Sequence, residues 1–272
     1  MIIVILLTCF LLNLINHGNI LTGILNTLLL FLSILFYLKF SYQKLPSIKS
    51  LIFISPLLIF IAGIPIFTHS YNIFIVLLAL GLCLLLLLYS GSNYKKILTF
   101  VILFYVLAAS FYANGLIQLP FSPQIDRFIF SDDWIKLYIN QMQNEALYIP
   151  YKIRLLVFNG SIYFYILLSK MASLFIFKNL YDLLLIANLY PLVQGIIIDL
   201  KDWNKSKTLI ILPIFFISFI TVVSRTIDIF NAFILLSPFF VYFILKGMPS
   251  INKIIYLLLY VFSLVMVFSP TQ

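Results

Sequence analysis

Ten apolar runs dominate this chain, at 1–15, 20–38, 51–67, 73–90, 97–117, 155–177, 180–198, 208–223, 226–245 and 252–268. A helix needs roughly 20 apolar residues, within a range of about 17–25, to cross a bilayer. Inside lipid each backbone polar group must be satisfied within its own segment, so runs of this kind fold as helices. Composition agrees. Of 272 residues, 64% are hydrophobic and only 9% are charged, against about a quarter in a soluble domain. Mean hydropathy is +1.16. A soluble globular enzyme, a disordered chain and a nucleic-acid-binding domain are all excluded. The expected fold class is all-α: a polytopic transmembrane helical bundle of about nine or ten membrane helices, with an extracytoplasmic interfacial amphipathic helix. Three parts follow: N-terminal membrane helices over 1–113, an outer loop over 114–154, and C-terminal membrane helices over 155–272.

Charge placement sets the expected orientation. Net charge is +9, and the 14 Lys lie mainly between apolar runs. Cytoplasmic connections of membrane proteins collect Lys and Arg. Lys39, Lys44, Lys49, Lys95 and Lys96 fall after even numbers of crossings, which makes the N-terminus cytoplasmic. If all ten runs crossed, Lys201, Lys205, Lys207, Lys246 and Lys253 would lie outside. One non-crossing segment restores the bias. The run 155–177 is the expected one, because it carries Asn159, Gly160, Ser161 and Lys170. A charge near mid-bilayer costs about 2.5–3.5 kcal/mol on insertion scales. Nine crossings then place His17, His69, Arg127, Arg154, Arg225, Asp132, Asp133 and Asp228 on the outer face. The N-terminal run lacks a basic leader and reads as a first membrane helix. The apolar start and the ending FSPTQ would also suit a piece of a longer protein.

The connection 114–154 is the only one long enough to fold by itself. Ile135, Tyr138, Ile139, Met142, Ala146 and Ile149 recur at helical spacing, predicting an amphipathic helix over 132–149 in the membrane interface. Asp132 and Asp133 read in two ways. They are first-turn acids behind a Ser131 cap, or carboxylates that bind a metal or take a proton. Arg127 and Arg154 bracket this helix, and the planar guanidinium suits phosphate oxygens. Head-group contact is the plainer reading of both. Arg225 and Asp228 stand three apart, a spacing that allows pairing on a helix. They read either as a hairpin cap or as a phosphate-binding Arg with an Asp that orients the ligand. Asn188, Pro191, Gln194 and Gly195 form a polar stripe in one run, for helix packing or for a substrate pathway. Cys9 and Cys83 lie in apolar runs and have no metal-ligand spacing.

No family motif is present. The layout alone is similar to that of lipid-linked sugar enzymes, with many spans, a long outer loop and Arg plus Asp at the outer face. Membrane glycosyltransferases that use polyprenyl-phosphate sugars carry an acidic motif in the first outer loop, whereas here that loop is Asn16-His17-Gly18-Asn19. O-antigen-type polymerases and ligases use Arg-containing outer loops, a pattern Arg127 and Arg154 match loosely. The leading expectation is a cell-membrane protein that handles a lipid-linked phosphate or glycan intermediate at the outer face. Its partners are membrane lipids, including a polyprenyl-phosphate-type lipid. Arg127, Arg154, Arg225, Asn188 and Gln194 would bind substrate, and Asp132, Asp133 or Asp228 would supply chemistry. A permease-like protein and a non-catalytic scaffold are the alternatives.

Overall fold

The computed structural model describes residues 20–41, 73–91, 94–118, 122–201, 208–226 and 228–268, with scattered residues before 20. The run 51–67, most of the run 1–15, His17 and His69 lie outside the described residues, as do Lys44, Lys49, Lys205 and Lys207. Nine helices account for nearly all of what is described. They are α1 (Ile20–Ser41), α2 (Ile73–Gly91), α3 (Lys95–Ala113), α4 (Asp133–Glu145), α5 (Tyr151–Leu174), α6 (Phe177–Lys201), α7 (Thr208–Val223), α8 (Ile229–Gly247) and α9 (Lys253–Phe268). The fold is all-α apart from a two-residue strand pair, Ile117–Gln118 with Ser122–Pro123.

Six helices among the described residues are long and apolar enough to cross a membrane, and two shorter apolar stretches lie within α7 and α9. Several of their hydroxyls are satisfied locally, although that of Ser218 in α7 is buried without a partner among the described residues. Ser33 donates to Leu29 O at 2.7 Å, Ser110 to Val106 O at 2.7 Å and Ser263 to Leu259 O at 2.7 Å. This back-bonding is the arrangement an apolar surrounding demands.

The core forms around α8. Every residue from Ala232 to Gly247 is buried, because α1, α2, α6 and α7 surround it. Phe36 of α1 lies 5.4 Å from Tyr242 and 6.1 Å from Phe239. The crossing of α6 and α8 is close enough that only glycine fits. A Cβ on Gly195 would overlap the carbonyl of Phe243, and one on Gly247 would overlap the carbonyl of Pro191. Thus Pro191 and Gly195, half of the polar stripe, serve helix packing. Beside this crossing Lys246 donates to Asp199, with both side chains buried, and the Tyr242 hydroxyl lies 3.4 Å from the ammonium.

The two ends of the bundle differ. At one end, α1 finishes beside the end of α2, where Phe40 stacks on Tyr89 at 6.4 Å. Here α3 begins, α6 ends at Lys201, α8 ends at Gly247 and α9 begins at Lys253. Lys39, Lys95, Lys96, Lys201, Lys246 and Lys253 all belong to this end. At the other end α3 finishes, α8 begins and residues 114–118 and 122–132 fold across.

Helices α4 and α5 form an antiparallel hairpin on that second end. Ile135 and Ile139 of α4 pack on Ile162, Tyr163, Ile166 and Leu167 of α5, forming a seam separate from the main core. At the far end Gln143 donates to Asn159 at 2.9 Å. At the near end Lys170 donates to the carbonyls of Ser224 and Arg225 at 3.1 and 3.2 Å. The hairpin therefore leaves and rejoins the same end of the bundle. Three details depart from expectation. The helix ends at Glu145, short of 149, and its apolar face meets α5. Asp132, and not Ser131, is the cap, accepting from Trp134 N at 3.0 Å, while the Ser131 hydroxyl donates to Phe128 O.

Candidate anion-binding site

The site starts with the end of α3. Asn114 donates to Ser110 O at 2.9 Å and to the Thr221 hydroxyl of α7 at 3.2 Å. Gly115 follows with φ +64, the left-handed backbone that glycine adopts without strain. That turn carries the chain across the bundle end and leaves a bare patch of backbone. The Arg127 guanidinium lies over it, so a Cβ on Gly115 would collide with Arg127.

A single backbone bridge then joins two distant segments. Phe128 pairs with Ser224 in an antiparallel bridge, and Arg225 N donates to Arg127 O at 2.7 Å. The bridge holds the loop after α3 against the turn between α7 and α8. Asp228 caps α8, accepting from Asn231 N at 3.1 Å and from Asn231 Nδ2 at 2.6 Å. The same amide donates to Ala113 O at 3.1 Å, fastening the start of α8 to the end of α3.

These contacts enclose a cavity of about 310 Å³ lined by Asn114, Gly115, Arg127, Thr226, Asp228 and Asn231, with Tyr112, Ala113 and Ile117. Arg127 and Asp228 are its charged lining residues. No carboxylate among the described residues pairs with Arg127. Asp228 already accepts from Asn231 with both oxygens but keeps lone pairs for a further donor. The Asn114 side-chain oxygen is buried without a hydrogen-bond partner among the described residues. A guanidinium that makes no ion pair among the described residues, beside acceptors suited to hydroxyls, can hold an anion that carries a hydroxylated substituent.

Arg225 turns to the other side of the bridge. Its Nε lies 3.4 Å from Asp132, and both side chains are partly exposed. A pair of this kind contributes only about 0–1 kcal/mol. Lys170 stands beside it on the carbonyls of 224 and 225.

The expected site residues thus divide. Arg127, Arg225, Asp132 and Asp228 come together at one end of the bundle. The expected pairing of Arg225 with Asp228 does not form, because 224–226 are not helical and Asp228 is engaged by Asn231. Asp133 faces outward and pairs with Lys136 at 3.1 Å, away from Asp132. Arg154 is at the far end of the hairpin, donating to Gln143 O at 2.6 Å with its guanidinium 5.8 Å from the Tyr151 ring. Asn188 is buried within the bundle and Gln194 is half-buried on α6, so neither lines this cavity. Sequence reasoning missed Asn114, Thr226 and Asn231 as lining residues. It saw Lys170 only as a charge out of place. Among the described residues no group of three or more His, Cys, Asp or Glu could hold a metal ion.

No family model, curated protein or solved structure matches this chain. The apolar helices fit a membrane protein, and any more specific activity rests on the site's own chemistry.

Proposed function

We propose that this chain is a multi-pass cell-membrane protein that binds the head group of a lipid-linked phosphate or glycan intermediate, and that the cavity around Arg127 and Asp228 is where it binds. One observation carries the reading: Arg127 lines a polar cavity together with Asp228 and makes no ion pair among the described residues. Asp228 and Asn231 would take the hydroxyls of the head group. Arg225 and Lys170 stand next to the cavity as further cations.

Sidedness follows from charge. The end that gathers Lys39, Lys95, Lys96, Lys201, Lys246 and Lys253 at its short connections is cytoplasmic under the positive-inside rule, so the cavity opens to the extracytoplasmic side and the N-terminus is cytoplasmic. The hydrogen bond from Arg225 to Arg127 keeps these two residues on one side. The chain then crosses an even number of times between them. Helices α6 and α7 supply two crossings, and α5, although long and apolar enough to cross, pairs antiparallel with α4 in a hairpin that returns to the same end, an arrangement that supports nine crossings over ten.

The test is binding of a long-chain alkyl phosphate to purified protein in phosphatidylcholine nanodiscs. A hydrogen bond to a charged group contributes about 1.5–3 kcal/mol, so Arg127→Gln should weaken binding by about 10- to 100-fold. Arg154→Gln, on the far end of the hairpin, should leave affinity within about two-fold. Equal loss in both variants would point to diffuse attraction by surface charge and would remove the cavity from the account.

A further inference from the structure

Tyr112 lines the polar cavity and also a second, apolar one. That second space is a groove of about 290 Å³ between α2 and α3, lined by Phe74, Leu77, Tyr105, Ala108, Ala109 and their neighbours. On α3 the residues Tyr105, Ala108, Ala109 and Tyr112 follow helical spacing, one stripe about 10 Å long. The two alanines make its floor. Phe74 of α2 meets Tyr112 at 6.4 Å, bordering the end of the groove nearest the polar cavity. Tyr105 closes the lower part, its hydroxyl donating to Leu78 O at 2.9 Å, so the polar atom of that ring is satisfied within the protein. Phe74, Leu77 and Ala108 are exposed on the outer flank of the helix pair, the surface that lipid would touch.

We propose that this groove holds the hydrocarbon chain of the same lipid whose phosphate sits by Arg127. The proposal rests on the reading of the polar cavity given above. The occupant is a membrane lipid, and not a soluble phosphate ester. A polar cavity that holds Arg127 beside hydroxyl-accepting groups shares the Tyr112 wall with an apolar groove, which is the polarity sequence of an amphiphile. Lipid enters sideways between α2 and α3 and places its head against Arg127 without leaving the membrane.

The experiment compares two probes by native mass spectrometry of the delipidated protein: a long-chain alkyl phosphate and a short-chain alkyl phosphate. The wild-type chain should prefer the long-chain probe by tenfold or more. Ala108→Trp fills the groove and should reduce that preference to near one, leaving short-chain binding unchanged. Leu77→Trp, on the opposite wall, gives a second filling should the first variant fail to yield folded protein. Arg127→Gln should weaken both probes. If folded Ala108→Trp and Leu77→Trp retain the wild-type chain-length preference while Arg127→Gln weakens both probes, the groove is overturned and the head-group cavity stands. If Arg127→Gln weakens neither probe, the cavity reading fails, and the groove proposal with it.

Discussion

Lys246→Met should destabilise the protein by about 3–5 kcal/mol, and Asp199→Leu should do the same, while the double variant recovers most of the loss. Lys246 and Asp199 are buried against each other where α8 meets α6. Removing either leaves the other's charge buried without the ion-pair partner it has here. Removing both replaces a costly pair with packing groups of similar size, which is often neutral or stabilising. Thermal unfolding midpoints in detergent, read for the wild type and the three variants, check this. A double variant as unstable as either single one would mean that the pair is net stabilising and not a costly one, and losses that simply add would mean that the two side chains are not coupled. Because the pair lies at the end opposite the Arg127 cavity, folded double variant should keep its affinity for an alkyl phosphate.

The second large effect concerns the same crossing. Gly195→Leu and Gly247→Val should each lower stability by about 1–3 kcal/mol or more, the usual cost of overpacking. The upper part of that range is expected because the atoms met are backbone carbonyls of the facing helix, not flexible side-chain ends. Gly160→Ala supplies the contrast. Nothing lies within 4 Å of a Cβ there, and alanine is the better helix former by about 1 kcal/mol. That variant should be neutral or stabilising. Yield of monodisperse protein and its unfolding midpoint would separate the two kinds of glycine. Equal tolerance at all three positions would contradict the close approach of α6 and α8.

The helices were legible because the constraint that forms them is local. An apolar run in lipid has one way to satisfy its backbone, and the runs at 20–38, 73–90, 97–117 and 226–245 all contain helices. The face of α4 was partly legible too: Ile135, Ile139 and Ala146 are buried as its periodicity implies, whereas Tyr138 is exposed. What the α4 pattern did not reveal is its partner. An amphipathic helix covers its apolar stripe with whatever is nearest, and here that is the following helix. This pairing also separates Arg127 from Arg154. In the sequence they bracket one short helix, but its 13 residues carry the chain about 20 Å, so the two arginines cannot share a ligand. The Arg225–Asp228 spacing misled for a related reason. A three-residue interval implies a pair only if the segment is helical, and the Phe128–Ser224 bridge holds this one open. No local signal reports a bridge between segments almost a hundred residues apart. Asn114, Thr226 and Asn231 stayed hidden because isolated polar residues at helix ends are ordinary until the ends are seen together.

The most direct measurement of the central claim is cysteine accessibility in intact cells. Cys9 and Cys83 are buried, so a membrane-impermeant maleimide reports on introduced positions. Asp126→Cys and Thr226→Cys should both label from outside, and Lys253→Cys only after the membrane is permeabilised. Labelling of Asp126→Cys and Thr226→Cys from opposite sides would break the bridge between the loop and the α7–α8 turn, and with it the anion site.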